Sequence, residues 1–301
     1  MKITIPPPKS LNTFMPDFYR ILIYGTHGAG KSEFAGTWAE AGEVLYLDSD
    51  RGLLTIIASS RLTPELKSRI FTIPIIDTSE DKHVKQPIGL LTVKAALEEV
   101  HATGKCDQVT PITVVVDSTT TLSDYAMSHA LFISGHTGQQ PSQPDWGRQM
   151  REMHEVITLG IGLKCNFICI AHEQYIQDKL SGRTWCLPLV TGKFAHRIGG
   201  YFDEVYHAQV SQVGGKHSFE LETKPSGLIT AKSRLDLPSV IATHYSSIRG
   251  RIEALRKQQA QATQTIQPVQ EVQPRKEVAY AGAAKPGVVK PEVKPLSMLN
   301  A

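Results

Sequence analysis

The stretch Gly25-Thr26-His27-Gly28-Ala29-Gly30-Lys31-Ser32 decides how this 301-residue sequence is interpreted. It follows the apolar run at residues 21–24, which is typical of a strand, and it precedes residues 33–41, which are typical of a helix. The spacing fits G-x-x-x-x-G-K-[ST], in which backbone N–H groups close around a phosphate at a helix N-terminus. We therefore expect this loop to bind a nucleoside triphosphate, with Lys31 on the β- and γ-phosphates and Ser32 on Mg²⁺.

Two later apolar runs end in aspartate and predict strands of the same sheet. Residues 44–48 read Val-Leu-Tyr-Leu-Asp, and residues 112–117 form a β-branched run that ends at Asp117. An uninterrupted run of this kind is typical of a buried parallel strand. Asp117 is predicted to hold Mg²⁺ together with Ser32. The next residue is Ser118 rather than the glutamate that activates water in many ATPases, so that group must come from elsewhere in the chain.

Strands alternate with helices along most of the sequence, which predicts an α/β fold with a mainly parallel sheet and helices on both faces. Closely spaced late strands, at residues 204–210, 217–222 and 228–231, predict a C-terminal antiparallel extension. The remaining predicted elements are a strand at 70–76, a helix at 89–102, a helix at 118–134, a helix at 146–163, a strand at 165–171, a short helix at 194–198 and a helix at 246–262. We expect three regions: an N-terminal arm (1–18), one ATPase domain (19–262) and a disordered Gln/Pro-rich tail (263–301).

Bulk composition narrows the function without deciding it. The formal net charge is +3, and residues 258–301 contain five Lys/Arg against three Glu, so the folded part has no strong basic surface. The sequence contains no apolar run of about 18 residues, and its first residues do not resemble an export signal, so we expect a cytoplasmic protein without a membrane span. The four cysteines lack the spacing of zinc ligands and are expected to be buried free thiols: Cys106, Cys165, Cys169 and Cys186.

These motifs, in this order, resemble RecA-type ATPases. The resemblance extends over residues 19–237 and is greater to the phage-encoded proteins with a minimal RecA-like core that act in single-strand annealing and recombination. It implies that Asp50, near the end of the strand after the phosphate-loop helix, takes the place of the family's water-activating glutamate. It also implies that His172 is a polar sensor at the tip of a strand inserted between the phosphate-loop strand and the Asp117 strand. Lys232 and Arg234 resemble the cations that such subunits extend to a neighbour's γ-phosphate.

The same resemblance implies partners. The polar loops 135–145 and 174–184 would line a channel for single-stranded DNA, with His136, Gln139 and Gln140 on the first and Tyr175, Lys179 and Arg183 on the second. ATP and Mg²⁺ are the cofactors that the resemblance implies. It implies a homo-oligomeric ring or filament as the assembly, and a single-strand-binding protein as a further partner.

Two other functions fit the same loop. A nucleotide or small-molecule kinase would need a lid over a second substrate, for which residues 174–185 are a candidate. A regulatory or packaging module would bind ATP without annealing DNA. Of the three functions, the resemblance favours the recombination ATPase that binds single-stranded DNA and promotes annealing or pairing.

Overall fold

The computed structural model describes residues 16–77, 86–179 and 182–265. The chain divides into a unit of residues 1–263 and a unit of residues 264–301, and the fold below is that of the first. Most of the predicted arm and the tail from residue 266 lie outside the described residues. The last helix ends at Thr265, so the first three residues of the predicted tail are helical.

An eight-stranded sheet forms the centre of this unit, with a separate pair of strands beside it. The strands are β1 (Arg20–Gly25), β2 (Val44–Asp48), β3 (Ile70–Pro74), β4 (Thr113–Asp117), β5 (Asn166–Ala171), β6 (Glu173–Gln177), β7 (Thr184–Pro188), β8 (Glu204–Val213), β9 (Lys216–Glu222) and β10 (Val240–Ala242). The order in the large sheet is β10-β9-β8-β1-β5-β4-β2-β3. Strands β8, β1, β5, β4, β2 and β3 are parallel to one another, whereas β9 pairs antiparallel with β8 and β10 pairs antiparallel with β9. This arrangement confirms the predicted fold class.

Helices pack on both faces of this sheet. They are α1 (Lys31–Gly36), α2 (Leu53–Ala58), α3 (Pro64–Lys67), α4 (Gly89–Thr103), α5 (Thr119–Ser134), α6 (Gln143–Gly162), α7 (Phe194–Arg197) and α8 (Ser246–Thr265). Alternate residues of β1 enter opposite cores: Leu22 and Tyr24 pack with α4, α5 and α6, while Ile21 and Ile23 pack with α1 and α8. This period of two is the expected result of a strand covered on both sides.

The strand register brings the predicted site residues to one edge. Strand β5 lies between β1 and β4, with Tyr24 beside Ala171 and Asp117 beside Ile170. Asp48 in turn lies beside Asp117. Since all these strands run in the same direction, their carboxyl ends form a single crevice, which is where ligands bind in open α/β sheets. The predicted insertion of β5 between the two strands is confirmed.

Several local predictions are wrong. The loop 174–184 is largely a hairpin, because β6 and β7 pair from Glu173–Pro188 to Gln177–Thr184. Residues 228–231 do not form a strand, since the chain there makes only isolated bridges, from Ile229 and from Lys232 to Val205. Helix α6 begins inside the predicted loop 135–145, where Ser142 and Asp145 form a capping box. No helix among the described residues combines the length and apolar character needed to cross a membrane.

Candidate nucleotide-binding site

The phosphate loop joins the end of β1 to the start of α1, as predicted. Gly28 and Gly30 have φ angles of 74° and 79°, which L-residues with side chains rarely adopt. Gly25 is needed for a different reason, because a Cβ there would collide with the carbonyl oxygen of Ala208 on β8. The Lys31 Nζ donates to the carbonyl oxygens of Gly25 at 2.8 Å and Thr26 at 2.6 Å. The lysine therefore lies inside the loop that it is predicted to serve.

Ser32 and Asp117, the pair predicted to hold Mg²⁺, are in direct contact. The Ser32 Oγ donates to the Asp117 Oδ2 at 2.6 Å, and the hydroxyl of Tyr46 donates to the Ser32 carbonyl oxygen at 2.9 Å. Asp117 is buried, and this burial raises its pKa to about 6, with Asp50 and Asp48 adding to the rise. A hydroxyl and a carboxylate in an acidic cluster are oxygen donors of the kind that Mg²⁺ prefers. The residues present therefore fit Mg²⁺.

Asp50 is held at the cleft by two side chains. Its Oδ2 lies 3.1 Å from the His172 Nε2, and its Oδ1 accepts a hydrogen bond from the Thr121 hydroxyl. Burial alone would raise the pKa of Asp50, but the hydrogen bonds from His172 and Thr121 outweigh it and lower that pKa. The His172 ring also packs against the ring of His27 in the phosphate loop, with centroids 4.2 Å apart. Asp50, His172 and the phosphate loop are thus in one connected set of contacts.

Asp48 has a different environment from Asp50. Its Oδ1 accepts a hydrogen bond from the Gly52 N–H at 3.1 Å, inside the turn that follows β2. It is buried and does not line the cleft. We infer that Asp48 stabilises the turn that presents Asp50.

A cleft of about 520 Å³ is lined by most of the predicted residues, but not by Gly25, Thr26, Lys232 or Arg234. The predicted members of its lining are His27, Gly28, Ala29, Gly30, Lys31, Ser32, Asp50, Asp117 and His172, and the additional members are Ser49, Gly52, Thr55 and Thr121. A cavity of this volume is in the range of small-molecule sites. A Cβ on Gly52 would stand 3.6 Å from the Ser32 Oγ and 3.7 Å from the Asp117 Oδ2, so the glycine leaves room beside the metal pair.

Lys232 and Arg234 lie near the amino-terminal end of β8, whereas the cleft lies at the carboxyl ends of the parallel strands. Lys232 bridges to Val205, and the backbone N–H of Arg234 donates to the Glu204 carboxylate at the first residue of β8. Ala208, which lies beside Gly25, is four residues further along that strand, a distance of about 13 Å. The two cations do not lie on a common strand, since only Lys232 makes a bridge. The Arg234 guanidinium is 2.6 Å from the Asp203 carboxylate.

The two predicted DNA loops differ in structure. His136 is not free in the first loop, because its Nδ1 lies 2.8 Å from the Asp145 carboxylate that caps α6. Gln139 and Gln140 are exposed there. In the second, Tyr175 is 61% exposed on β6, and the Arg183 guanidinium stacks 3.6 Å above the Trp185 ring.

Two polar contacts at the cleft were not predicted from the sequence. Thr121 bonds Asp50, and Thr120 accepts a hydrogen bond from the His172 backbone N–H at 2.9 Å. Both threonines are in the first turn of α5, directly after Asp117 and Ser118. The run Ser118-Thr-Thr-Thr was the sequence signal for these contacts. A helix start needs one hydroxyl residue as its cap, so the other three are available for other roles.

The Asp117 pKa gives a pH prediction for the nucleotide-free chain. A folded-state pKa of about 6 lies above the unfolded value, so the folded chain binds the proton more tightly. The stabilisation from this proton is complete below about pH 4 and disappears as the pH rises through about 6. We expect Asp117→Asn, which stays neutral, to unfold with a free energy on the order of 3 kcal/mol higher than wild type at pH 7, and with no such gain at pH 4. Denaturant unfolding of both proteins at pH 7 and pH 4 measures these free energies. An equal difference between variant and wild type at the two pH values would contradict the raised pKa of Asp117.

Comparison with known proteins gives one family match and several similar structures. Residues 17–235 match the family described as an AAA domain. No curated protein gives a significant match. Among solved structures, the flagellar accessory protein FlaH from Methanocaldococcus jannaschii is 14% identical over 68% of this chain and 76% of that chain, with a TM-score of 0.34. An ATPase of the type III secretion system of pathogenic bacteria is 14% identical over 64% of this chain and 52% of that chain, with a TM-score of 0.41.

The family match covers well over half of the chain, and it includes the phosphate loop, both aspartate-ended strands and His172. This chain therefore belongs to the AAA domain family, and its nucleotide-binding domain is that of a P-loop ATPase.

Proposed function

We propose that this protein hydrolyses ATP with Asp50 as the group that activates water, and that the reaction is coupled to single-stranded DNA in recombination or annealing. The observation that carries the catalytic part is the position of Asp50. Its carboxylate lines the phosphate-loop cleft and is held there by His172 and Thr121. Asp50 is an ionised carboxylate at neutral pH, since its pKa is lowered, and an ionised carboxylate can accept a hydrogen bond from water.

The existing contacts of Asp50 leave it able to act. A carboxylate has about four lone-pair sites, and His172 and Thr121 use one on each oxygen, so each oxygen can still accept from a water molecule. Bound Mg²⁺ would stabilise charge on the phosphate oxygens and would be held by Ser32 and Asp117. Lys31 would exchange its two carbonyl acceptors for phosphate oxygens. His172 contacts both His27 of the phosphate loop and Asp50, so it would be available as a polar sensor of a bound phosphate.

The hairpin β6–β7 supports a role in DNA binding. It begins directly after His172, so its position depends on a residue that contacts Asp50. The hairpin presents an exposed aromatic ring, Tyr175, and the cations Lys179 and Arg183. Aromatic rings that stack on bases, with cations that pair with phosphates, are the usual elements of single-strand binding.

The test is ATPase activity with and without single-stranded DNA. We expect DNA to stimulate phosphate release, and Tyr175→Ala to weaken DNA binding by about 5- to 150-fold, the effect of one lost stacking contact. Tyr175→Phe is the matched control, since it keeps the ring and should keep the affinity. Fluorescence anisotropy of a labelled oligonucleotide measures both. An absence of stimulation, or equal affinity in Tyr175→Ala, would remove the DNA proposal, and phosphoryl transfer to an added nucleotide would favour a kinase.

We further propose that turnover requires assembly into a ring or filament. Lys232 and Arg234 lie beside the first two residues of β8, at the end of the sheet away from the cleft, and we assign them to the nucleotide of a neighbouring subunit. A neighbour would also cover Leu54 and Ile57 on α2 beside the cleft, which are 75% and 66% exposed. A cation supplied by another subunit stabilises transition-state charge.

Arg234→Ala tests this part of the proposal. We expect turnover to fall by 10³-fold or more, the order of an arginine finger, while ATP affinity changes little. The stability of the fold should be nearly unaffected. The side chains of Arg234 and Asp203 are 63% and 28% exposed, and exposed ion pairs contribute about 0–1 kcal/mol to the free energy of unfolding. Arg249→Ala is a matched control, as it also removes an exposed arginine from ion pairs. Turnover per subunit that is independent of protein concentration would contradict the assembly.

A further inference from the structure

Three side chains of different chemistry meet on the hairpin side of the sheet. They are Glu173 on β6, Cys186 on β7 and His207 on β8, and their donor atoms all lie within 4.8 Å of one another. The Cys186 residue is fully buried, and the His207 and Glu173 side chains are 8% and 10% exposed. Burying a carboxylate, a thiol and an imidazole together is costly unless they are paired or bind a cation.

We propose that Glu173, Cys186 and His207 bind a transition-metal ion, with Zn²⁺ as the class of ion that suits them. One sulfur, one nitrogen and one carboxylate oxygen form a donor set of the kind that Zn²⁺ accepts. Hard ions such as Mg²⁺ prefer oxygen donors alone, so this site would differ from the pair of Ser32 and Asp117. The proposal does not depend on the proposed function.

The distances are close to those of a tetrahedral site. The Cys186 Sγ and the Glu173 Oε2 are 3.7 Å apart, and the His207 Nε2 and the same oxygen are 2.8 Å apart. Ordinary zinc bond lengths at tetrahedral angles separate sulfur from oxygen by about 3.6 Å and nitrogen from oxygen by about 3.4 Å. The sulfur–oxygen distance already fits, and the histidine would need to move by roughly half an ångström. Water would supply the fourth ligand, as it does in three-ligand sites.

The orientation of His207 has a second support. Its Nδ1 lies 3.2 Å from the Glu222 carboxylate on β9, on the side of the ring away from Glu173. A metal-bound histidine usually donates its other N–H to a carboxylate, which fixes the tautomer and strengthens the ligand. Glu222 is in the position of this outer carboxylate. The metal would also replace the proton of the Cys186 thiol, because the thiolate is the form that binds a metal.

A metal here would join the hairpin to the central sheet. Strands β6 and β7 pair with each other and not with the eight-stranded sheet, whereas His207 belongs to that sheet beside Tyr24. Three ligands from β6, β7 and β8 would therefore fix the base of the hairpin at the sheet. No local spacing in the sequence could reveal this site, because its ligands are separated along the chain and meet only through the fold.

The experiment titrates the nucleotide-free, full-length protein with Co²⁺ and follows the thiolate-to-cobalt charge-transfer band. We expect one Co²⁺ per chain with this band, its displacement by Zn²⁺, and about one Zn²⁺ per chain by elemental analysis after desalting. Cys186→Ser should lose the band. Cys106→Ser, which alters another buried thiol, should keep it, and so should Asp117→Asn, which alters the predicted Mg²⁺ pair. Glu222→Gln leaves all three ligands in place and should lower the affinity by about 10- to 100-fold.

Three outcomes would overturn the proposal: no band in the wild type, a band that survives in Cys186→Ser, or unchanged affinity in Glu222→Gln. If Cys186→Ser does not fold, the Co²⁺ titrations of the wild type and of Glu222→Gln decide whether the metal site exists. The readout needs no ATP, so a failed ATPase assay leaves this test intact, and a failed titration leaves the proposed ATPase intact.

Discussion

Lys31→Ala should abolish ATP binding at micromolar nucleotide and reduce turnover below detection. The Lys31 side chain is buried inside the loop, where its amine already donates to the carbonyl oxygens of Gly25 and Thr26. A phosphate would replace these neutral acceptors with charged ones, and charge-assisted hydrogen bonds are the stronger kind. We expect at least a 100-fold loss of affinity, equivalent to about 2.7 kcal/mol. Calorimetry with ATP and a phosphate-release assay measure the two effects.

Lys216→Ala provides the control for loss of a lysine. Lys216 is exposed at the start of β9 and is not part of the cleft, so its removal should leave affinity and turnover unchanged. Thermal unfolding without nucleotide should confirm that Lys31→Ala is folded. A folded Lys31→Ala protein with wild-type ATP affinity would mean that this loop is not the nucleotide site.

Asp50→Asn should separate chemistry from binding. The amide cannot take a proton from water, so we expect turnover to fall by about 10²- to 10⁴-fold, the usual contribution of a general base. ATP affinity should change by only a few-fold, because the predicted phosphate contacts come from the loop and not from Asp50. Single-turnover phosphate release, together with nucleotide titration, distinguishes these two quantities.

Asp48→Asn is the matched control for this prediction. It makes the same change two residues earlier, on a side chain that bonds the Gly52 N–H and does not line the cleft. Because the asparagine oxygen can accept the same hydrogen bond, turnover should stay within about threefold of wild type. A normal rate in Asp50→Asn, or an equal loss in both variants, would exclude Asp50 as the base.

The sequence was sufficient for the parts of the fold that depend on continuous local patterns. Residues 113–117 are a β-branched run, and the structure buries all of them in β4. The phosphate loop has a spacing that few other structures require, and its glycines have the positive φ angles that this spacing implies. Such features are encoded within a few neighbouring residues, so they can be predicted from the sequence.

The sequence was insufficient where a residue's role depends on a distant partner. Strand β6 is polar and only partly buried, so the composition of residues 174–184 resembled a loop, and the two strands are defined by pairing between residues such as Tyr175 and Cys186. Strand β10 has three residues, too few for a period to be visible. Thr121 reaches Asp50 only because β2 and β4 are neighbours in the sheet. The contacts around Asp50 therefore had to be found in three dimensions.

His172 is the single residue between the end of β5 and the start of β6. The central sheet and the hairpin are therefore joined by one residue at β6, and the hydrogen bond from the Tyr24 hydroxyl on β1 to the Cys186 carbonyl oxygen holds β7 at the sheet as well. Each hairpin strand has five residues, or about 17 Å of length, so a rotation of about 10° about this base would displace the far ends of β6 and β7 by about 3 Å. That is the width of one hydrogen bond. A rotation this small at the base would therefore be enough to make or break a hydrogen bond at the far end of the two strands.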